Sequence, residues 1–320
     1  MREQTYLQQA RALGTQLEFR IDCDNKVDAE SIFRQLWLKT ERFQKRFSRF
    51  IPTSEVSKLN ANHGNKTKIS DDFAKILDKT VELAKLTEGI FNPFCLPLVQ
   101  KAGYTTSLDS LNSQAPIDYT DRVLSDIDGL TIGQSWAMIP KNSAIDLGGI
   151  GKGYLADQLS EYLDRSGVDN YLLSIGGDLV AKGDPRHKKW TIDVPSAIDN
   201  RIIARYYPNQ NKFSVATSGL SRSLDGKKQL HLIDPRSQKL AKSQYLTCSV
   251  ASIECTFADV IASCILIDGI SFAKKMLKLN IISGVLLQGK AHNSVDILGE
   301  GFMLENNHTY SKKKVSNIHA

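Results

Sequence analysis

Asp146-Leu-Gly-Gly-Ile-Gly-Lys-Gly-Tyr154 is a glycine-rich loop that runs into a helix, a place where exposed backbone N–H groups and a lysine can hold phosphate. The alternative reading is a tight structural turn. A P-loop would need glycine at 146, where Asp146 stands, and Ser or Thr after Lys152, where Gly153 stands. The dinucleotide fingerprint fails too, because the alternating glycines fall at 149, 151 and 153.

On the C-terminal side of this loop, Leu155, Leu159, Tyr162 and Leu163 recur at helical spacing up to Arg165, and Gly167 is a natural stop. Short β-rich runs follow at 171–175, 190–194, 213–216, 230–233 and 246–251. Helices are predicted over 257–267 and 271–279, and an apolar strand over 282–287. On the N-terminal side, a short polar arm precedes Leu13, Thr15, Leu17, Phe19 and Ile21, whose alternation is that of a half-buried strand. A long amphipathic helix is predicted from Asp28, as its cap, to about Phe47, with Ile32, Phe33, Leu36, Trp37, Phe43 and Phe47 on its apolar stripe. A second is predicted from Asp71 to Thr87, capped by Ser70, with Phe73, Leu77, Val81 and Ala84 on one face and Gly89 ending it.

The run 105–120 is rich in Ser, Asn, Asp and Pro and reads as a surface loop or an insertion between elements, without functional content. Helices and strands intersperse without a βαβ repeat, so the expected class is α+β, with mixed or largely antiparallel sheets and packed helices. Residues 1–310 read as one domain of one or two lobes and 311–320 as a solvated tail.

The 320 residues are 41% hydrophobic, enough for one large core or two smaller lobes. The net charge of +6 is scattered among 35 acidic residues, which fits an anionic substrate as well as it fits nucleic acid. No apolar signal segment or membrane-length run is visible, so a cytoplasmic protein is expected. Five cysteines, Cys23, Cys95, Cys248, Cys255 and Cys264, make no CxxC pair and read as reduced thiols, neither a disulfide framework nor a zinc site.

Asp259 and Ser263 stand four apart on a predicted helix, which puts a carboxylate and a hydroxyl on one face. Such oxygen ligands suit a hard cation such as magnesium; the alternative is an aspartate bonding a neighbouring serine. His231 lies in the β-rich run Gln229-Leu-His-Leu-Ile-Asp-Pro235 and is expected on a strand, as a functional or a structural imidazole. His63, His187, His292, His308 and His319 sit in polar or terminal contexts without metal-ligand spacing. Thr217-Ser-Gly219, expected just after a strand, offers a polar rim or a plain turn, and Ser174-Ile-Gly-Gly-Asp178 a close backbone approach to a ligand or a β-bulge.

In identity and order these segments resemble the ApbE family of FAD:protein FMN transferases. The resemblance takes in Leu13-Gly-Thr15, Ser48-Arg-Phe-Ile-Pro-Thr-Ser-Glu-Val-Ser-Lys-Leu-Asn60, Glu88-Gly-Ile-Phe-Asn-Pro93 with Pro97-Leu-Val, and Asp146 to Asp157. It continues through Ile175-Gly-Gly-Asp178, Ala216-Thr-Ser-Gly219, His231-Leu-Ile-Asp-Pro235, Ser249-Val, and Ala258-Asp259 with Ser263, spanning about 12 to 290.

The resemblance implies an ApbE-like fold with FAD held between two lobes. It places the flavin and its ribityl chain against Leu13, Phe50, Ile90, Phe91 and Asn92, and FAD contacts at Asp146, Lys152 and His231. It assigns a Mg2+ to the side chains of Asp259 and Ser263 and the carbonyl of Gly149. The implied reaction passes FMN from FAD to a Thr or Ser hydroxyl of an acceptor flavoprotein and releases AMP. In it Lys152 neutralises phosphate charge, and His231, whose ordinary pKa is near working pH, takes the hydroxyl proton. Asn92 stands where the family commonly has Asp, Phe94 where a small hydroxyl residue is usual, Ser263 for Thr and Phe50 for a frequent Tyr. The lipoprotein signal common in the family is not seen, which implies an intracellular acceptor. Hydrolysis of FAD to FMN and AMP by the same site, and flavin binding without chemistry, are the rival readings.

Overall fold

The computed structural model describes residues 4–23, 26–105, 117–184, 189–224, 227–291 and 294–305. Its main sheet has eight strands, β1 (Gln4–Ala12), β2 (Thr15–Cys23), β3 (Tyr171–Ile175), β4 (Asp178–Lys182), β5 (Lys212–Gly219), β6 (Tyr245–Ser252), β7 (Gly284–Gly289) and β8 (Val295–Gly299). Their spatial order is their chain order, and every neighbouring pair is antiparallel. Antiparallel neighbours can be joined by two-residue turns, and two of the pairs are. Leu13 and Gly14 have φ of 54° and 73°, and Gly176 and Gly177 have 65° and 94°, the positive values a type I′ hairpin turn requires. Ile175-Gly-Gly-Asp178 is therefore a tight hairpin, not a bulge.

The helices enter as insertions in this meander. Between β2 and β3 come α1 (Lys26–Phe47), α2 (Glu55–Ala61), α3 (Asp71–Leu86), α4 (Leu96–Lys101) and α5 (Gly151–Arg165). Between β6 and β7 come α6 (Cys255–Asp268) and α7 (Ile270–Lys278). Leu173, Val180, Ala216, Val250, Val285 and Leu287 pack into the helix-side core. Their neighbours Leu172, Ala181, Val215, Ala251 and Leu286 pack on the other face against a small sheet of Ile192–Pro195, Ile202–Tyr206 and Phe302–Leu304. Burial on both faces explains why β3 and β7 read as continuous apolar runs without alternation.

Several expectations shift. The polar arm is β1, an edge strand whose residues are mostly exposed, so no burial pattern marked it. Asp28 lies inside the first turn of α1 and is not its cap, although a carboxylate there still favours the helix dipole. Ser70 caps α3 as expected, accepting the Phe73 N–H at 3.2 Å. The run 230–233 is not one strand: Lys227–Leu230 and Ile233–Asp234 are separate, and His231 and Leu232 form the link between them. Thr217, Ser218 and Gly219 lie within β5, paired to Ser249, Cys248 and Thr247, not after it. Most of the 105–120 loop and the whole 311–320 tail lie outside the described residues.

α6 is buried almost all round, packed over β5 and β6 and crossed by α5. The crossing is close because of Gly153. A Cβ there would lie 2.6 Å from the Cys255 carbonyl oxygen and 2.9 Å from its carbon, both backbone atoms. Gly153→Ala is expected to cost about 1–3 kcal/mol through overpacking. Urea unfolding should show this as a lower midpoint with an unchanged slope; an unchanged midpoint would mean that the helices part freely.

Candidate functional site

A cleft of about 480 Å³ opens where the hairpin tips of the main sheet meet α5, α6 and the turn after α3. Its walls include every residue that the resemblance assigned to FAD or to the cation: Leu13, Phe50, Ile90, Phe91, Asn92, Asp146, Gly149, Lys152, His231, Asp259 and Ser263. Thr217, Ser218, Gly219 and Gly176 line it as well.

Leu13 sits at the first turn position between β1 and β2 in the left-handed region, a costly conformation for a branched aliphatic residue. Its N–H donates to Gln44 Oε1 of α1 at 3.2 Å, which ties the turn to the helix. Just beyond α1, the buried Arg49 guanidinium lies 4.3 Å from the centroid of the Phe50 ring. The same guanidinium donates to the Tyr104 carbonyl at 3.1 Å and reaches Asp146 Oδ2 at 3.4 Å. Arg49 thus fixes an aromatic wall and a carboxylate together.

The turn after α3 is held by Thr87, whose hydroxyl accepts the Phe91 N–H at 3.1 Å. Gly149 passes so close to Phe91 that a Cβ would lie 3.3 Å from the ring edge. Asn92 uses both ends of its amide: Oδ1 accepts the Phe94 N–H at 2.9 Å and Nδ2 donates to the Ser125 carbonyl at 3.0 Å. A carboxylate cannot make the second bond, which accounts for Asn at this position. Phe94 is fully buried in the core and does not line the cleft, so its bulk does not alter the wall. The approach to the glycine loop is clasped by Asn60, fully buried on α2, which pairs with both the N–H and the carbonyl of Ile145 at 2.8 and 2.9 Å.

Lys152 Nζ bonds Asp178 Oδ2 and lies 3.3 Å from Asp259 Oδ1. The Gly153 N–H, in the first turn of α5, donates to the other Asp259 oxygen at 3.1 Å. Asp157 of α5 does the same for α6, accepting the Cys255 and Thr256 N–H groups at 2.8 Å each. Neither helix is capped by the side chain of its own preceding residue, so each supplies the other's carboxylate. Burial pushes the Asp157 carboxyl up to about 6 against the pull of these donors. Burial, and then the Asp259 charge, raise that of Asp178, opposed by Lys152. Asp178 Oδ1 is sealed from solvent without a well-formed hydrogen bond, although the Thr217 amide lies near enough to favour the charged form.

Asp259 and Ser263 lie one turn apart on α6, as expected, but each has a different partner. Ser263 Oγ shares a 2.8 Å hydrogen bond with Ser218 Oγ, and Thr217 Oγ1 another of 2.8 Å with Ser249 Oγ. Asp259, Ser263 and Gly149 offer carboxylate, hydroxyl and carbonyl oxygens, and no cluster of three His, Cys, Asp or Glu that could hold a metal occurs among the described residues. That set fits a hard cation completed by phosphate and water oxygens, and does not fit zinc. The His231 ring packs 6.4 Å from that of Tyr104, on the link between two short strands. Sequence reading missed Arg49, Tyr104 and the roles of Asp157 and Asp178. Arg49, Asp157 and Asp178 carried a signal only as members of the quoted motifs, and Tyr104 carried none.

The sequence profile described as the ApbE family matches residues 13–285. A FAD:protein FMN transferase of Vibrio cholerae is 25% identical over 253 residues, covering 76% of this chain and 75% of that protein. One from Haemophilus influenzae is 27% identical over 243 residues, covering 71% and 70%. Among solved structures, the flavin transferase ApbE from Vibrio cholerae superposes with a TM-score of 0.76 at 22% identity, covering 93% of this chain and 97% of that one. The ApbE protein of Thermotoga maritima gives 0.77 at 21%, covering 92% and 97%. These structural likenesses establish the α+β fold.

Because its folded-state value is raised, Asp157 adds stability below about pH 4, the ordinary carboxylate range, and this is lost as pH rises through about 6. Asp157→Asn should flatten that component, on the order of 1–3 kcal/mol, in urea unfolding followed from pH 4 to 7. A slope identical to that of the parent would remove Asp157 from the pH dependence.

Proposed function

The chain belongs to the ApbE family, and from that membership we propose that it transfers the FMN half of FAD to a Thr or Ser hydroxyl of an acceptor flavoprotein, releasing AMP. The observation that carries this is a single cleft that combines apolar and aromatic surface, from Leu13, Phe50, Ile90, Phe91 and Tyr104, with Asp146, Lys152, His231, Asp259 and Ser263. A flat ring system joined to a pyrophosphate needs both kinds of wall. We take residues 1–310 as one catalytic unit.

In this reading the acceptor oxygen forms a bond to the FMN-side phosphorus, the bond to the bridging oxygen breaks, and AMP leaves with that oxygen. His231 takes the hydroxyl proton, Lys152 offsets charge on the phosphates, and Asn92 and Asp146 orient the flavin portion. Asp259, Ser263 and the Gly149 carbonyl are the groups that would hold Mg2+, which supplies further neutralisation of phosphate charge when bound. Cys95, Cys248, Cys255 and Cys264 are thiols outside any disulfide, which supports a reducing, cytoplasmic setting. No helix among the described residues is long and apolar enough to cross a membrane.

The test is incubation with FAD, Mg2+ and an acceptor domain carrying a threonine flavinylation motif, read by intact mass. An FMN-sized adduct is the expected result; free FMN and AMP without an adduct would make the protein a FAD pyrophosphatase, and unchanged FAD would leave a flavin-binding protein without chemistry. Asp259→Ala should lower Mg2+-dependent turnover by about a hundredfold or more. Its far-UV circular dichroism should stay that of the parent, with the loss of the α5 cap costing only about 1 kcal/mol. Turnover at the parent rate would refute the metal assignment.

A further inference from the structure

Resting on the cation-assisted reading above, we propose that Asp178 is a positioning residue: it is the standing counter-ion of Lys152, which lets Lys152 yield Asp259 to an incoming divalent cation. Three groups carry this. Lys152 contacts two carboxylates, Asp178 through Oδ2 and Asp259 through Oδ1 at 3.3 Å. Lys152 and Asp259 both line the cleft, whereas Asp178 is 1% exposed and does not. Asp178 therefore does not touch a bound ligand itself, and its direct contact with the site runs through the lysine.

The two carboxylates are held differently. Asp178 begins β4 directly after the Gly176-Gly177 turn, so its backbone is set by the hairpin. A carboxylate sealed at this depth is strongly destabilised if its cation leaves, and its Oδ1 has no hydrogen bond of good geometry to compensate. Asp259 keeps the Gly153 N–H on Oδ2 whatever happens at Oδ1, and Oδ1 is the oxygen Lys152 touches. Of the two contacts, the one to Asp259 is the one that can be exchanged. A hard cation at Asp259 displaces the ammonium from that oxygen, and Lys152 stays paired with Asp178 at the edge of the cleft, where its charge faces the phosphates. Without a charge at 178, Lys152 still has its contact with Asp259, and the cation has to compete with the lysine for that carboxylate.

The experiment measures Mn2+ binding to the FAD-free protein by the loss of the free-ion electron paramagnetic resonance signal, without any acceptor. Asp178→Asn should weaken Mn2+ about tenfold, the equivalent of about 1.4 kcal/mol. Adding Lys152→Met in the same chain should restore binding to the parent affinity or beyond, because the competing ammonium is gone. A role for Asp178 in packing alone would not be rescued by deleting the lysine. Parent-like affinity in D178N, or no recovery in the double variant, overturns the proposal. If D178N alone does not fold, the double variant is compared with the parent directly, and weaker binding than the parent overturns it. A parent protein that binds no Mn2+ sinks the cation reading itself, and this inference with it; normal parent binding with an unaffected D178N sinks this inference alone.

Discussion

The N-termini of α5 and α6 each present backbone N–H groups that no residue of their own leading turn satisfies, and each helix answers with a carboxylate from the other. Asp157 accepts from Cys255 and Thr256, and Asp259 accepts from Gly153. The exchange works only at short range, which the missing side chain of Gly153 permits beside the Cys255 carbonyl. The same contact serves packing and chemistry. It fixes the crossing of two core helices, satisfies donors that would be costly if left buried and unpaired, and sets Asp259 beside Lys152 at the cleft.

Around that crossing, the cleft is built from backbone that has been turned sharply or clasped by side-chain amides. The hairpin tips at Leu13-Gly14 and Gly176-Gly177 lie side by side, so close that a Cβ on Gly176 would strike the Thr15 side chain. Asn60 and Asn92 act as backbone surrogates, each donating and accepting, and between them they fix the segments that enter the glycine loop and leave the turn after α3. A carboxylate at either place would lose the donor half of the pair. Residues that look like substrate groups in a motif are here partly devoted to holding the chain for those that face the cleft.

Charge is arranged in paired units. Arg49 is matched to Asp146 beneath an aromatic wall, and Lys152 is shared between Asp178 and Asp259. Both cations are largely buried, where an unpaired ion would be destabilising, and both line or abut a cleft suited to an anionic ligand. The FAD of the proposed reaction is such a ligand.

The sequence by itself determined α1, α3 and α5, the helices with one buried face, because helical periodicity and the Ser70 cap are local signals, and it placed the almost wholly buried α6 as well. Through the order of its motifs it also named many of the residues that gather at the cleft, though not Tyr104. It could not reveal β1, an exposed edge strand with no burial pattern, nor the break at His231, where chain geometry outweighs β-rich composition. That every main-sheet pair is antiparallel and that strand order follows chain order emerged only in the tertiary structure, since pairing joins residues far apart in sequence. Asp146-Leu-Gly-Gly-Ile-Gly-Lys-Gly-Tyr154 shows the division well. Its composition announces a loop before a helix, but what Gly153 is for, and which carboxylates hold Lys152, depends on α6 and β4, which lie more than a turn or a loop away along the chain and arrive only when the sheet closes beneath them.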